Sequence, residues 1–435
     1  MSKTNGQEQM PAYSEAVSSG MYAKRSGLLG KYDNVRKFWE DENTRLFLRP
    51  YLQEAIERAR HQMRRLRIID LGCGSADGYE LLSGIRYRDA DLHQVEVEML
   101  SPDVLGLYKG VDLNQDLLDQ ARGIYGDNPK LVFQQVDFTQ GFLAKDQDGP
   151  YDLYFTSFGT FSHHNDDETA IQLLCDIAEG SRGPTLVVCD WLGRYSYEWQ
   201  SLWTEQPEQL KNMDYVVSYI YNQEERARKR DSLQHLTLRL MSREEAEHII
   251  GEASRRSGAK MQVRGFFDRS IFTGRHMDTG EYNPQAKPLR QAVNAIHETN
   301  HRANLEELIV DYVPKPGFPF LNDYYEGLQM AWNTLVKYVI ELLDSYDEQN
   351  RVFRYEPSPV PATYPRQLRE MMKRMRMIVE SVGWLGNGLP RENIIEPQLG
   401  YALRYLMNTM QQAQGCGHGL VGVVEIQGRE KPMRQ

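Results

Sequence analysis

The sequence predicts an α/β fold in which a mainly parallel sheet is followed by a large, mainly helical region in the C-terminal third. Three observations carry this. Short apolar segments, most of them ending in Asp, alternate with helix-like segments between Leu66 and Asp190. The first of these segments runs into a Gly-rich turn that opens a helix. From about residue 283 to 412 the apolar spacing becomes helical and stays so.

Residues 1–30 are polar and rich in Ser, Gly and Gln, and read as an arm that buries little surface. Between Tyr32 and Met63 apolar residues recur at helical spacing, and Pro50 predicts two helices meeting there. LRIID (66–70) is the first strand, with a helix expected near 77–85. YKGVD (108–112) is the second strand, and the helix after it ends near Gly126. LVFQQVD (131–137) and YDLYFTS (151–157) are the third and fourth strands. A helix over 166–180 carries acids in its first turn, where they suit the helix dipole, and leads to the fifth strand, TLVVCD (185–190). An aromatic-rich stretch (191–222) and a charged patch (224–231) follow. Ser242 with Glu245 forms a capping box for the next helix, and KMQVRGFF (260–267) reads as a strand. GLVGVVEIQG (419–428) reads as the last strand of the sheet. The expected division is therefore an arm (1–30), a sheet domain (31–282), a helical accessory or substrate cover (283–412), and a final strand with a tail (413–435).

The chain has 435 residues, 40% of them hydrophobic and 26% charged, enough for more than one core. No apolar run approaches the roughly 20 residues that span a bilayer, and the first residues carry no export or transit pattern, so a cytoplasmic protein without a membrane partner is expected. Lys and Arg total 51 against 61 Asp and Glu, a net charge of −10, which disfavours nucleic acid as a partner. The four cysteines (Cys73, Cys175, Cys189, Cys416) are scattered without metal-ligand spacing, and no metal is expected.

In IIDLGCGSADG (68–78), Gly72 and Gly74 permit a tight turn and close approach of a ligand to backbone amides at a helix start. Asp77 stands where a dinucleotide fingerprint needs Gly or Ala, and no phosphate-loop GK[ST] ending is present. Asp70, Asp112 and Asp137 close the first three strands and so line the carboxyl edge of a parallel sheet, where such folds bind ligands. A carboxylate-rich rim repels pyrophosphate and favours a cationic adenosyl ligand.

On IIDLGCGSA, YKGVDLN, FQQVDFTQ, YDLYFTSFGTFSHH and TLVVCDW, in that order over residues 32–267, the chain resembles the class I S-adenosylmethionine-dependent methyltransferases. The resemblance implies a Rossmann-like, seven-stranded methyltransferase sheet, S-adenosylmethionine as cofactor and S-adenosylhomocysteine as product. It places Asp70, Gly72 and Gly74 at the methionine end, Asp112 on the ribose hydroxyls, Asp137 and Phe138 beside adenine, and Ser157 in backbone contacts. Cys73 and Leu113, in the same motifs, count among the cofactor-binding residues. Two departures are Ala76 in place of the third glycine of the turn and about twenty extra residues at 86–106.

Methyl transfer from a sulfonium is an in-line displacement, so a protein mainly aligns the nucleophile, excludes water and removes a proton where needed. His163 and His164 are the candidate bases and Asp190, closing the fifth strand, a third candidate catalytic residue; the alternative for the histidines is a capping or solvated role, and for Asp190 an orienting one. Trp191, Tyr195, Tyr197, Trp199 and Trp203 suit either a substrate wall or core packing. KYDNVRKFWED (31–41) suits either a lid with Tyr32 and Arg36 facing inward or a helix covering the sheet. The basic clusters at 58–67, 226–230 and 366–376 are interleaved with acids and apolar residues, as in solvated helix faces. The reading is a methyltransferase for a small-molecule acceptor, by O- or N-methylation, with the helical region as a candidate homo-oligomer surface. The alternatives are an RNA-modifying methyltransferase and a non-catalytic S-adenosylmethionine-binding regulatory protein.

Overall fold

The computed structural model describes Val17 and residues 32–89, 95–138, 141–143, 146–206, 210–347, 352–382 and 389–428. The expected arm (1–30), Val17 apart, and the tail after Gly428 lie outside the described residues.

A π-helical turn, Arg36–Glu40, runs directly into α1 (Asp41–His61). Here the structure departs from the expectation of two helices, because α1 continues through Pro50. The proline deprives only the Leu46 carbonyl of a donor, and both Leu46 and Pro50 are exposed, so water takes the donor's place. β1 (Leu66–Leu71), α2 (Asp77–Ser83), β4 (Leu105–Asp112), α3 (Gln115–Tyr125), β5 (Leu131–Gln135), β6 (Leu153–Phe155), α4 (Asp167–Gly180) and β7 (Thr185–Gly193) follow the predicted alternation. The extra residues before β4 hold a short antiparallel hairpin, β2 (Arg86–Asp89) with β3 (Val95–Glu98). Helix starts are fixed locally: Asn114 and Asp166 side chains accept amide bonds from Leu117 and Thr169.

After β7 come β8 (Asn212–Val216), α5 (Gln223–Arg228), β9 (His235–Met241), α6 (Arg243–Ser257) and β10 (Lys260–Arg269). The capping box between Ser242 and Glu245 is present, and Gly258 ends α6 in the left-handed region. The helical part comprises α7 (Leu289–Ala295), α8 (Pro319–Ser345), α9 (Arg366–Val382) and α10 (Glu396–Met410), with a two-residue pair β11 (Tyr346–Asp347) and β12 (Val352–Phe353). β13 (Gly419–Gln427) returns to the sheet.

The main sheet runs β10-β13-β7-β6-β1-β4-β5. Strands β5, β4, β1, β6 and β7 are parallel, and β13 lies antiparallel between β7 and β10. The expected seven-stranded Rossmann-like sheet is thus formed, and β9 adds itself at the end of β7 with β8 beyond it, making nine strands among the described residues. β7 is buried along its whole length and β13 on all but its last residue, which is why both are mostly apolar with no polar alternation.

One face of the sheet packs under α1, α2 and α3, and the other under α4 and α6. A third core joins α7–α10 to Val35, Trp39, Tyr197, Trp203 and Phe272. Trp191, Tyr197, Trp199 and Trp203 are all buried in these cores, so the aromatic stretch after β7 serves packing. Among the basic clusters, Arg58 pairs with Glu54 and Glu425, Arg64 with Asp152, and Arg376 with Glu356 and Glu380. No described helix is long and apolar enough to cross a membrane, and no group of metal-ligating side chains is found among the described residues.

Because β13 fills the slot between two other strands, truncating its core should be costly. Leu420→Ala, at a fully buried position, should lose about 2–5 kcal/mol, read as a lowered midpoint in urea unfolding with secondary structure retained.

Candidate functional site

β1 ends at Asp70, whose neighbours across the ladder are Gly110 of β4 and Phe155 of β6. The chain then turns sharply: Gly72 has φ +72° and Gly74 φ +52°, both left-handed. A Cβ on Gly72 would lie 2.6 Å from Thr160 Cγ2, so the glycine lets the loop after β6 close against the turn. At Gly74 a Cβ would meet nothing nearer than Leu117 Cδ1 at 3.9 Å, leaving this part of the turn open. The third position, Ala76, takes the same left-handed backbone at φ +68°, at about 1–2 kcal/mol for an L-residue. The turn is pinned to β4 by the Gly72 and Cys73 amides, which donate to Val111 O at 2.8 and 3.0 Å.

Asp112, at the end of β4, accepts from Gly74 N and from Asn114 N, each at 2.8 Å. It thereby ties the glycine turn to the start of α3. Asp70 is fully buried; its Oδ2 accepts from the Tyr108 hydroxyl, while Oδ1 has no partner among the described residues. Burial, with Asp112 and Asp77 nearby, pushes its pKa up to about 7. Cys73 is buried, and burial raises its thiol well above the ordinary value, so it packs as an apolar group.

The loops after β5 and β6 meet at His164, whose ring sits edge-on to Phe138 (5.9 Å) and Phe161 (5.4 Å). Burial lowers its pKa to about 4, outweighing Asp166 and, less strongly, Asp137, which favour the charged form. His163 is half-buried and is also lowered to about 4, by burial and by His164. Both imidazoles are therefore neutral near pH 7.

Asp190 corrects one expectation. Its carboxylate receives Arg269 Nη1 and Nη2 at 2.8 and 3.2 Å and the amides of Phe158 and Gly159 at 2.8 and 3.1 Å. With its oxygens so occupied it anchors the loop that follows Ser157, and it is not placed to take a substrate proton. Ser157 itself is buried, and its carbonyl accepts from the Thr160 hydroxyl at 2.7 Å.

Tyr32 and Arg36 face α2 and the loop after β6. The Tyr32 hydroxyl lies 2.9 Å from Asp77 Oδ1 and from Glu80 Oε2. The Arg36 guanidinium sits 3.5 Å above the Phe158 ring and pairs with Asp41. The same segment is fastened to α7: Arg290 reaches both oxygens of Asp33 at 2.7 Å and Glu40 Oε1 at 2.6 Å, and Asn294 Oδ1 accepts from Val35 N at 2.8 Å. Sequence reading missed Arg269, Arg290, Glu40 and Phe158. A buried charge closing an apolar strand, as in GFFDRS, is the signal that points to Arg269.

One carboxyl edge thus holds a glycine turn between Asp70 and Asp112, on a parallel sheet whose reversed strand is slotted beside β7. The fold is that of a class I methyltransferase. No family model matches the chain, and no curated protein matches it. Solved methyltransferases resemble it over part of its length. One from Clostridium acetobutylicum is 12% identical over 54% of this chain and 86% of its own, with TM-score 0.34. The magnesium protoporphyrin IX methyltransferase of Synechocystis is 11% identical over 60% and 91%, with TM-score 0.33. The putative methyltransferase of Haloferax volcanii, solved with its activator, is 16% identical over 61% and 80%, with TM-score 0.30.

The raised pKa of Asp70 makes a pH prediction for this methyltransferase fold. The unfolded carboxyl ionises near 4 and the folded one near 7, so between about pH 4 and about pH 7 the native state holds the extra proton and stability falls as pH rises. Asp70→Asn should remove that part of the fall, so that its melting temperature gains on the parent's as pH is raised through this window. Parallel melting curves for the two proteins would show the opposite.

Proposed function

We propose that the chain is an S-adenosylmethionine-dependent methyltransferase that methylates an oxygen or nitrogen of a small-molecule acceptor. The observation that carries this reading is the buried, unpartnered Asp70 Oδ1 beside an open glycine turn whose other side is held by Asp112. That set suits the cofactor: an acceptor atom in a polar cradle, bare backbone at Gly74 for close approach, and a carboxylate positioned for a diol. Asp70, Gly72, Cys73 and Gly74 take the methionine end, Asp112 and Leu113 the ribose, Asp137 and Phe138 the adenine, and Ser157 contributes backbone. When bound, the cofactor supplies an electrophilic methyl group.

The residues of the chain then have three tasks. The lid segment, through Tyr32 and Arg36, covers the edge and keeps water from the reacting atoms. The Asp190–Arg269 pair holds the loop after Ser157 in register with the turn. His164, or His163, accepts the acceptor's proton; each is neutral and so ready to act as a base. Residues 283–412 form the acceptor-selecting cover, and we assign the sheet part, 31–282 with β13, to the cofactor. The RNA reading is disfavoured by the net charge of −10, and within the basic clusters Arg58, Arg64, Arg366 and Arg376 are paired with carboxylates.

Titration calorimetry with S-adenosylhomocysteine tests the cofactor assignment: well-folded protein should bind it, and Asp112→Ala should weaken binding at least about tenfold, the loss of one charge-assisted hydrogen bond. Unchanged affinity would remove the ribose role. Normal affinity without methyl transfer to any small-molecule acceptor panel would assign the non-catalytic reading instead.

The base assignment has a pH signature. With a histidine pKa near 4, the neutral base is already available above that value, so the acid limb of kcat/KM should lie near 4 and not near the ordinary 6.5. His164→Asn or His163→Asn should lower kcat, and the variant that leaves it unchanged excludes that residue.

A further inference from the structure

Beside the lid lies a cavity of about 830 Å3, bounded by the end of β8, α5 and the segment 275–291, with Asp33 at its inner side. Its size falls in the range of small-molecule sites. A single carboxylate, Glu40, links it to the sheet edge: Oε1 accepts from Arg290 and from the Ser270 hydroxyl at 3.1 Å, and Oε2 lies 3.8 Å from Arg275.

The charges around the cavity are unequally committed. Asp33 spends both oxygens on Arg290, and Asp278 accepts from Gln291 N at 3.1 Å. Glu281 is exposed at the rim. Also lining the cavity, Arg226 makes one hydrogen bond, to the carbonyl oxygen of Asp278 at 3.2 Å, and Arg230 makes none among the described residues. Arg275 stacks on Tyr219, 5.4 Å from the ring centre. Ser218 is fully buried in the wall, and its hydroxyl has no partner among the described residues. Unused guanidinium donors and a buried hydroxyl together match an oxyanion with two or more acceptor oxygens, which takes bidentate bonds from arginine and one bond from a hydroxyl.

We propose that this cavity binds the anionic end, a carboxylate or a phosphate, of the methyl acceptor, held by Arg226, Arg230 and Ser218. The inference names the acceptor's class and rests on the methyltransferase reading above, but the binding step is tested without turnover.

The full chain is titrated calorimetrically with benzoate, with benzamide as its uncharged counterpart, and with inorganic phosphate; S-adenosylhomocysteine is titrated separately. Benzoate or phosphate should bind, each naming the group the cavity takes, and benzamide should bind at least about tenfold more weakly than benzoate. The double variant Arg226→Gln/Arg230→Gln should lose anion affinity by at least about tenfold and keep its affinity for S-adenosylhomocysteine. Ser218→Ala, a smaller change, should weaken anion binding in the same direction and guards against a folding defect in the double variant. If neither anion binds, or if the arginine variant binds it as well as the parent does, the cavity assignment falls, and the methyltransferase reading stands as long as S-adenosylhomocysteine is bound. Loss of S-adenosylhomocysteine binding in the parent chain overturns both.

Discussion

The contact on which the site depends is the buried pair between Asp190 at the end of β7 and Arg269 at the end of β10. The two strands are not neighbours; β13 lies between them, and Val421 pairs with Asp190 while Gly419 pairs with Arg269. A side chain on Gly419 would strike the guanidinium at 2.6 Å, so the start of β13 is shaped around the arginine. Each side chain is 2% exposed. An ion pair of this depth is weak support for stability in itself, because desolvation offsets the attraction, but losing one partner leaves a buried charge. What it contributes is position. The carboxylate also takes the Phe158 and Gly159 amides, holding Phe158 at φ +55°, a conformation that L-residues rarely adopt. Arg269 and Arg36 both lie against that ring, at 4.9 and 3.5 Å.

From that loop the order spreads to the segment 33–41 and to the helical part. Arg36 connects Phe158 to Asp41, and Glu40 on the same turn meets Arg290 of α7. Trp39, one residue earlier, is fully buried and donates its indole NH to His297 Nε2 at 2.9 Å. The few residues from Asp33 to Asp41 therefore touch the glycine-turn helix, the loop after β6 and α7 at once. Burial pulls the pKa of Glu40 up, but four arginines around it win and hold it well below the usual carboxylate range, so this junction stays ionised.

Much of the sheet and of the glycine turn at its carboxyl edge was legible in the sequence because those signals are local. An apolar run, a terminal Asp and glycines that need positive φ sit within a dozen residues of one another at 66–78, and the structure puts Asp70, Gly72, Gly74 and Asp112 together. The capping box at Ser242 was readable for the same reason. What escaped were pairings across long separations: Asp33 with Arg290, Asp190 with Arg269, and the cavity around Arg226. Nothing in the spacing of those charges says which of them meet. Pro50 misled in the other direction, because a helix can run through a proline where the position is exposed, as Leu46 and Pro50 are here.

The place of β13 has a consequence for how the chain comes off the ribosome. No strand of the main sheet lies between Arg269 and Gly419 in sequence, so β7 and β10 are made with an open slot between them while the helical part is synthesised. Until the slot is filled, two strand edges have unpaired backbone groups, the kind of edge that other chains join. The chain that connects the two edges to the closing strand is the helical part, α7–α10, packed around Trp332. A nascent chain halted before Gly419 would therefore be a substrate for chaperones, with the carboxyl edge of its sheet incomplete because Arg269 lacks the strand that seats it.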